Sequence, residues 1–124
     1  IFIGTVSAIV SNIAAHWRAN SKLDDTLDVF PCHGTGGMMG MLLTGLFASK
    51  AINGAVAEEG LFISGDASLF IKHIVALVVV SAFAFLGSYA LLFITDKIIP
   101  LRVTEEEERV GLDISQHDES LVEV

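Results

Sequence analysis

The sequence predicts an all-α membrane protein with about three membrane-spanning helices and a polar tail. Three observations carry that expectation. Of the 124 residues 52% are hydrophobic, only 18% are charged, and two long runs hold no charge, counting histidine as neutral. The first run, Val29 to Ser49, has 21 residues between Asp28 and Lys50, and the second, Ile74 to Thr95, has 22 between His73 and Asp96. Each suffices for a helix that crosses a bilayer, which takes roughly 20 residues.

The first helix is expected over residues 1–17. This stretch, "IFIGTVSAIVSNIAAHW", is apolar apart from Thr5, two serines, Asn12 and His16. It opens abruptly, with no basic leader and no small-residue cleavage site, so it reads as the truncated end of a span in a fragment of a longer protein. A polar link, "RANSKLDD", leads to a second helix over about 26–49. Pro31 suits the first turns of that helix or a kink there. Thr44 is expected to bond to its own helix backbone.

After the loop "KAINGAVAEEGLFISGDAS" comes a third helix over about 70–96. Its β-branched residues would suggest a strand in water, but its length and lack of alternation require a helix in lipid. Ser81, Gly87 and Ser88 would let a neighbouring helix come close. Pro100 ends the span, so residues 1–99 are expected to be transmembrane and 100–124 a tail. In "RVTEEEERVGLDISQHDESLVEV" a threonine precedes four glutamates, an N-cap with acids at the positive end of a short helix. Gly111 would end it. A solvated, disordered acidic tail fits the same pattern.

Charge gives orientation and excludes some partners. Arg18, Lys22, Lys97, Arg102 and Arg109 lie on one side of the spans and Lys50 and Lys72 on the other, which puts the first link and the tail in the cytoplasm. Net charge is -8, and the eight acids and three bases from Lys97 onward contribute -5 of it. Neither nucleic acid nor an anionic lipid surface suits such a tail. The single Cys32 can form no internal disulfide and reads as a small packing residue.

The stretch "DDTLDVFPCHGTGGMMG", residues 24–40, resembles a soluble glycine loop but fails each test for one. A dinucleotide loop lacks its third glycine and preceding strand, and a phosphate loop lacks its lysine. One His beside one Cys is too few ligands for zinc, and no nucleophile elbow marks a hydrolase. No enzyme chemistry, metal or cofactor is expected. Inside a membrane helix, Gly36-x-x-x-Gly40, with Gly37 beside it and Gly45 further on, forms a flat face for another helix or a narrow lumen. Asp24, Asp25 and Asp28 most simply cap the helix, and a cation-attracting vestibule is the sharper alternative. His33 stands out, because an ionisable group at membrane depth tends to face a cavity or pathway. A dry site favours neutral imidazole, which both donates and accepts, and that suits a small polar solute able to lose a proton.

The residues "DDTLDVFPCHGTGGMMGMLLTGLFA" closely resemble the signature around the tenth membrane helix of ammonium transporters of the Amt/Mep/Rh type. The tail "LRVTEEEERVGLD" resembles their C-terminal region, so the likeness covers nearly the whole chain. It implies the C-terminal part of an eleven-helix fold, built from two inverted halves and assembled as a homotrimer in the cell (inner) membrane. It also implies that His33 is one of two neighbouring pore histidines, the other lying in the missing part, and that Val29 is an apolar pore position. Asp25 would support the pore structurally, together with Asp28, Gly34, Gly36 and Gly37. Gly111, Leu112 and Asp113 would match a tail segment tied to gating, at a face where a P-II signalling protein docks. The outer aromatic cage that recruits ammonium lies outside this stretch. Three other readings stay beside transport of ammonium as ammonia: a Rhesus-like channel for a neutral gas, an ammonium sensor with a transporter fold, and a small three-helix assembly protein.

Overall fold

A computed structural model describes residues 1–119; the last five residues of the expected tail, 120–124, lie outside the described residues. The described residues are all-helical in their regular structure. Helix α1 runs Phe2–Ala19, and a six-residue π-helix, Phe30–Thr35, continues directly into α2, Gly36–Phe47. One short helix and one long one follow: α3, Leu61–Ser64, and α4, Ser68–Ile98. The tail carries α5, Glu105–Val110, and α6, Leu112–His117. The chain forms two compact units, residues 1–82 and residues 83–124, and α4 passes from the first into the second.

Only α4, 31 residues long, is by itself long and apolar enough to cross a membrane among the described residues. The second expected span begins late and is divided. Residues 26–29 are largely taken up by a turn, and the six residues of the π-helix leave 12 for α2. The proline and the aspartates upstream cause the late start. Asp28 sits at φ 53°, outside helical conformation, and Pro31 suits only the opening positions of a helix because it has no N–H.

The first unit is held by small-residue approach and aromatic contact rather than by a hydrophobic core. Leu43 is its buried apolar side chain, Pro31 is fully buried, and large apolar residues stand exposed from Ile1 to Val80. Exposure on that scale marks surface made for lipid or for more protein. On α1, Ser7 and Ser11 face Gly40 and Gly36 of α2: an added Cβ on Gly36 would stand 2.8 Å from Ser11 Oγ, and one on Gly40 would stand 3.8 Å from Ser7 Oγ. Four-residue spacing on both helices brings these faces together. At the other end Phe2, Phe47 and Phe62 meet edge to face, with centroids 5.2 Å apart in each pair.

The loop after α2 closes on a glycine. Gly60 N–H donates to Ala48 O at 2.8 Å, and a Cβ there would lie 2.5 Å from the Leu46 carbonyl. No side chain fits at that position. Glu58 pairs with Lys72 of α4, and Glu59 accepts from the Lys50 N–H at 3.2 Å, so the two loop acids tie their segment down at both ends. Thr44 bonds its own helix, with Oγ1 donating to Gly40 O at 2.8 Å.

In the second unit, Phe85, Tyr89 and Phe93 stack along α4 at four-residue steps, with centroids 6.5 Å apart, and Lys97 Nζ lies 5.4 Å from the Phe93 centroid. The acidic tail carries helical structure within its described residues, 100–119. Thr104 and Glu107 form a reciprocal capping box at the start of α5, and Gly111, at φ 103°, separates α5 from α6.

Candidate functional site

The region around His33 is built from its acids upward. Asp25 uses both carboxylate oxygens: Val29 N–H donates to Oδ1 and Phe30 N–H to Oδ2, each at 2.9 Å. Two orphan donors at the start of the helix are thereby satisfied, and Pro31, next in line, has none to satisfy. The N–H groups of Phe30 and Val29 hold the Asp25 carboxyl below its usual range, with the positive charge of Arg18 adding to them. Asp28 turns the other way. Its Oδ1 accepts from Arg18 Nε at 2.9 Å and Nη2 at 2.6 Å, joining the end of α1 to the start of the π-helix. Asp24 only receives the Thr26 hydroxyl, at 3.4 Å.

The π-helix carries Pro31, Cys32 and His33 on a widened turn, an element that occurs often at functional sites. The Phe30 ring folds over Gly34, whose absent Cβ would meet Cδ2 at 2.8 Å. Ser11 Oγ donates to Cys32 O at 3.5 Å, so α1 also touches this turn.

Two stripes of the same segment differ in what they meet. Gly36 and Gly40 lie against α1. Val29, His33 and Gly37, four residues apart, are all exposed, and a Cβ on Gly37 would meet nothing within 4 Å. Among the described residues no hydrogen-bond partner reaches the His33 imidazole, and no three metal-ligating side chains gather anywhere.

Of the residues singled out in the sequence, Asp25, Asp28, Val29, His33, Gly34, Gly36 and Gly37 come together on the π-helix, its entry turn and the start of α2. Gly111, Leu112 and Asp113 belong to the second unit, where Asp113 Oδ1 fills the space a Cβ on Gly111 would take, at 2.5 Å. Two residues were not foreseen. His73 Nδ1 lies 2.7 Å from Met41 O, beside Gly45, a backbone partner that leaves no signal in the sequence. Glu107 binds Thr104, and through Oε1 it accepts from Gln116 Nε2 at 3.1 Å; the Thr-x-x-Glu spacing was the signal.

The model of the Ammonium Transporter Family matches residues 1–122. An ammonium transporter of Bacillus subtilis is 41% identical over 123 residues, covering 95% of this chain and 30% of that protein. One of Corynebacterium glutamicum is 34% identical over 118 residues, covering 95% of this chain and 26% of its own length. Ammonium transporter 1 of Schizosaccharomyces pombe is 35% identical over 126 residues, covering 97% and 25%. The chain therefore spans about 30% or less of the curated relatives it matches. No solved structure matches it.

Proposed function

The chain belongs to the ammonium transporter family, a family of membrane transporters and not of enzymes, and from that membership we propose that it is the C-terminal part of a protein that carries ammonium across the cell (inner) membrane. One observation supports a conducting role for this stretch most strongly. The stripe bearing Val29, His33 and Gly37 is open, while the neighbouring glycine stripe is already occupied by α1.

In this reading α1, the π-helix with α2, and α4 are membrane segments, and the tail from residue 100 is cytoplasmic. Ammonium loses its hydration and a proton on entry, and ammonia passes a dry lumen lined by His33, Val29 and a second histidine outside this chain. A neutral imidazole suits that solute because one ring nitrogen donates while the other accepts. Asp25 and Asp28 hold the turn before His33, Gly34 makes room for Phe30, and Gly36 seats the segment on α1. Gly37 leaves the lumen side free of a side chain. The protein assembles as a homotrimer, and a P-II signalling protein acts on its cytoplasmic face through the Gly111-Leu112-Asp113 segment.

The test is growth. The full-length protein, placed in a strain without ammonium uptake of its own, restores growth on low ammonium at acidic pH, where free ammonia is scarce. Expression in the membrane without restored growth would overturn the transport reading.

A further inference from the structure

We propose that His73 is a positioning residue for His33, acting through α2; the proposal rests on the transport reading above. His73 Nδ1 stands 2.7 Å from the backbone carbonyl of Met41. A carbonyl only accepts, so Nδ1 carries the proton and donates. In an α-helix that carbonyl also takes the N–H four residues on, that of Gly45, and the imidazole uses the second lone pair.

Gly45 makes the approach possible. A Cβ there would lie 3.1 Å from Phe70 Cα and 3.3 Å from His73 Cβ, so even alanine makes α4 give by a few tenths of an ångström, and a large side chain forces it away and opens the bond. Gly45 is buried and His73 half-buried, and among the described residues this is the one side-chain hydrogen bond between α2 and α4. A glycine that admits the neighbouring helix and a histidine that bonds through the gap make a single joint.

The joint controls where His33 stands. The π-helix runs into α2 without a break, and Met41 lies eight residues beyond His33. Without the His73 bond, α2 keeps its seat on α1 but loses a restraint on its rotation. A turn of about 10° moves a side-chain tip by roughly 1 Å on a helix of this diameter. Errors of about 1 Å at a reacting group lower rates by up to about a hundredfold.

The experiment uses the full-length protein in membranes. His73→Phe keeps a ring and removes the donor; His73→Asn returns an N–H at the place of Nδ1. With transport normalised to folded protein, His73→Phe is expected to lower maximal methylammonium uptake about tenfold and to change the ammonium-to-methylammonium ratio, and His73→Asn to restore both. A double-mutant cycle on melting temperature, pairing His73→Phe with Gly45→Leu, tests the joint without transport: once Gly45→Leu has opened the gap, His73→Phe should cost little more. Additive melting shifts would overturn the contact. A coupled cycle with unchanged uptake and selectivity in His73→Phe would overturn the positioning role. A coupled cycle in a wild-type protein that takes up no ammonium would remove the transport reading and, with it, the positioning role, leaving only the contact.

Discussion

Arg18 at the end of α1 holds Asp28 in a left-handed backbone conformation at φ 53°, through two hydrogen bonds of 2.9 and 2.6 Å to one carboxylate oxygen. The pair restrains the turn from which the π-helix starts. Both side chains are partly exposed, so the contribution is that of a screened ion pair, about 1 kcal/mol or less. Arg18→Ala should lower the melting temperature modestly. Asp28→Gly should cost less than Asp28→Ala, since glycine relieves the positive φ that alanine keeps. Equal losses for both would show that the backbone conformation carries no strain.

Asp25 makes the same turn sensitive to acid. Its pKa is depressed in the folded chain, so the stabilisation is fully present above the ordinary carboxylate value and is lost as pH falls through the depressed one. Melting temperature should drop at acid pH more in the wild type than in Asp25→Asn, which has already lost one acceptor. Parallel pH profiles would contradict this.

Adjacent glycines should behave oppositely. Gly36→Leu puts a side chain where Ser11 Oγ stands 2.8 Å from the first carbon, an overpacking that costs about 1–3 kcal/mol. Gly37→Ala meets open space and should leave the melting temperature unchanged. Any loss of uptake in Gly37→Ala is then a loss of lumen, not of folding. Equal thermal losses at both positions would contradict the two-stripe arrangement.

In the tail, Gly111→Ala meets two obstacles: a positive φ of 103° and Asp113 Oδ1 at 2.5 Å. Backbone strain alone costs about 1–3 kcal/mol there. Limited proteolysis should cut the α5–α6 segment faster in Gly111→Ala. Glu107→Gln should act in the same direction, because the Thr104 N–H, then the Thr104 hydroxyl and Gln116, hold the Glu107 carboxyl below its ordinary range. That stabilisation is lost as pH falls through the depressed value, so the wild-type tail should become protease-sensitive in acid. Unchanged cleavage in both variants would contradict the capping arrangement.

Local rules made much of this legible. Thr44 bonds its own helix, Thr104 caps α5 and Gly111 ends it, each from chemistry within a few residues. Gly36-x-x-x-Gly40 announced a packing face, and α1 lies against it through Ser7 and Ser11. The π-helix was not visible, because apolar periodicity over six residues cannot distinguish a widened turn from an α-helical one. The Arg18–Asp28 pair and the His73–Met41 bond depend on partners brought together by the fold, the second through a backbone atom that has no sequence signature. Residue type drew attention to His33, and the structure adds that its stripe is the open one.

The most direct test of the account is methylammonium uptake by the full-length protein carrying His33→Ala, normalised to folded protein in the membrane. The exposed His33 imidazole has no hydrogen-bond partner among the described residues, so the substitution should fold normally. The account predicts lost uptake or altered selectivity between ammonium and methylammonium at an unchanged melting temperature. Wild-type uptake with wild-type selectivity in His33→Ala would contradict it.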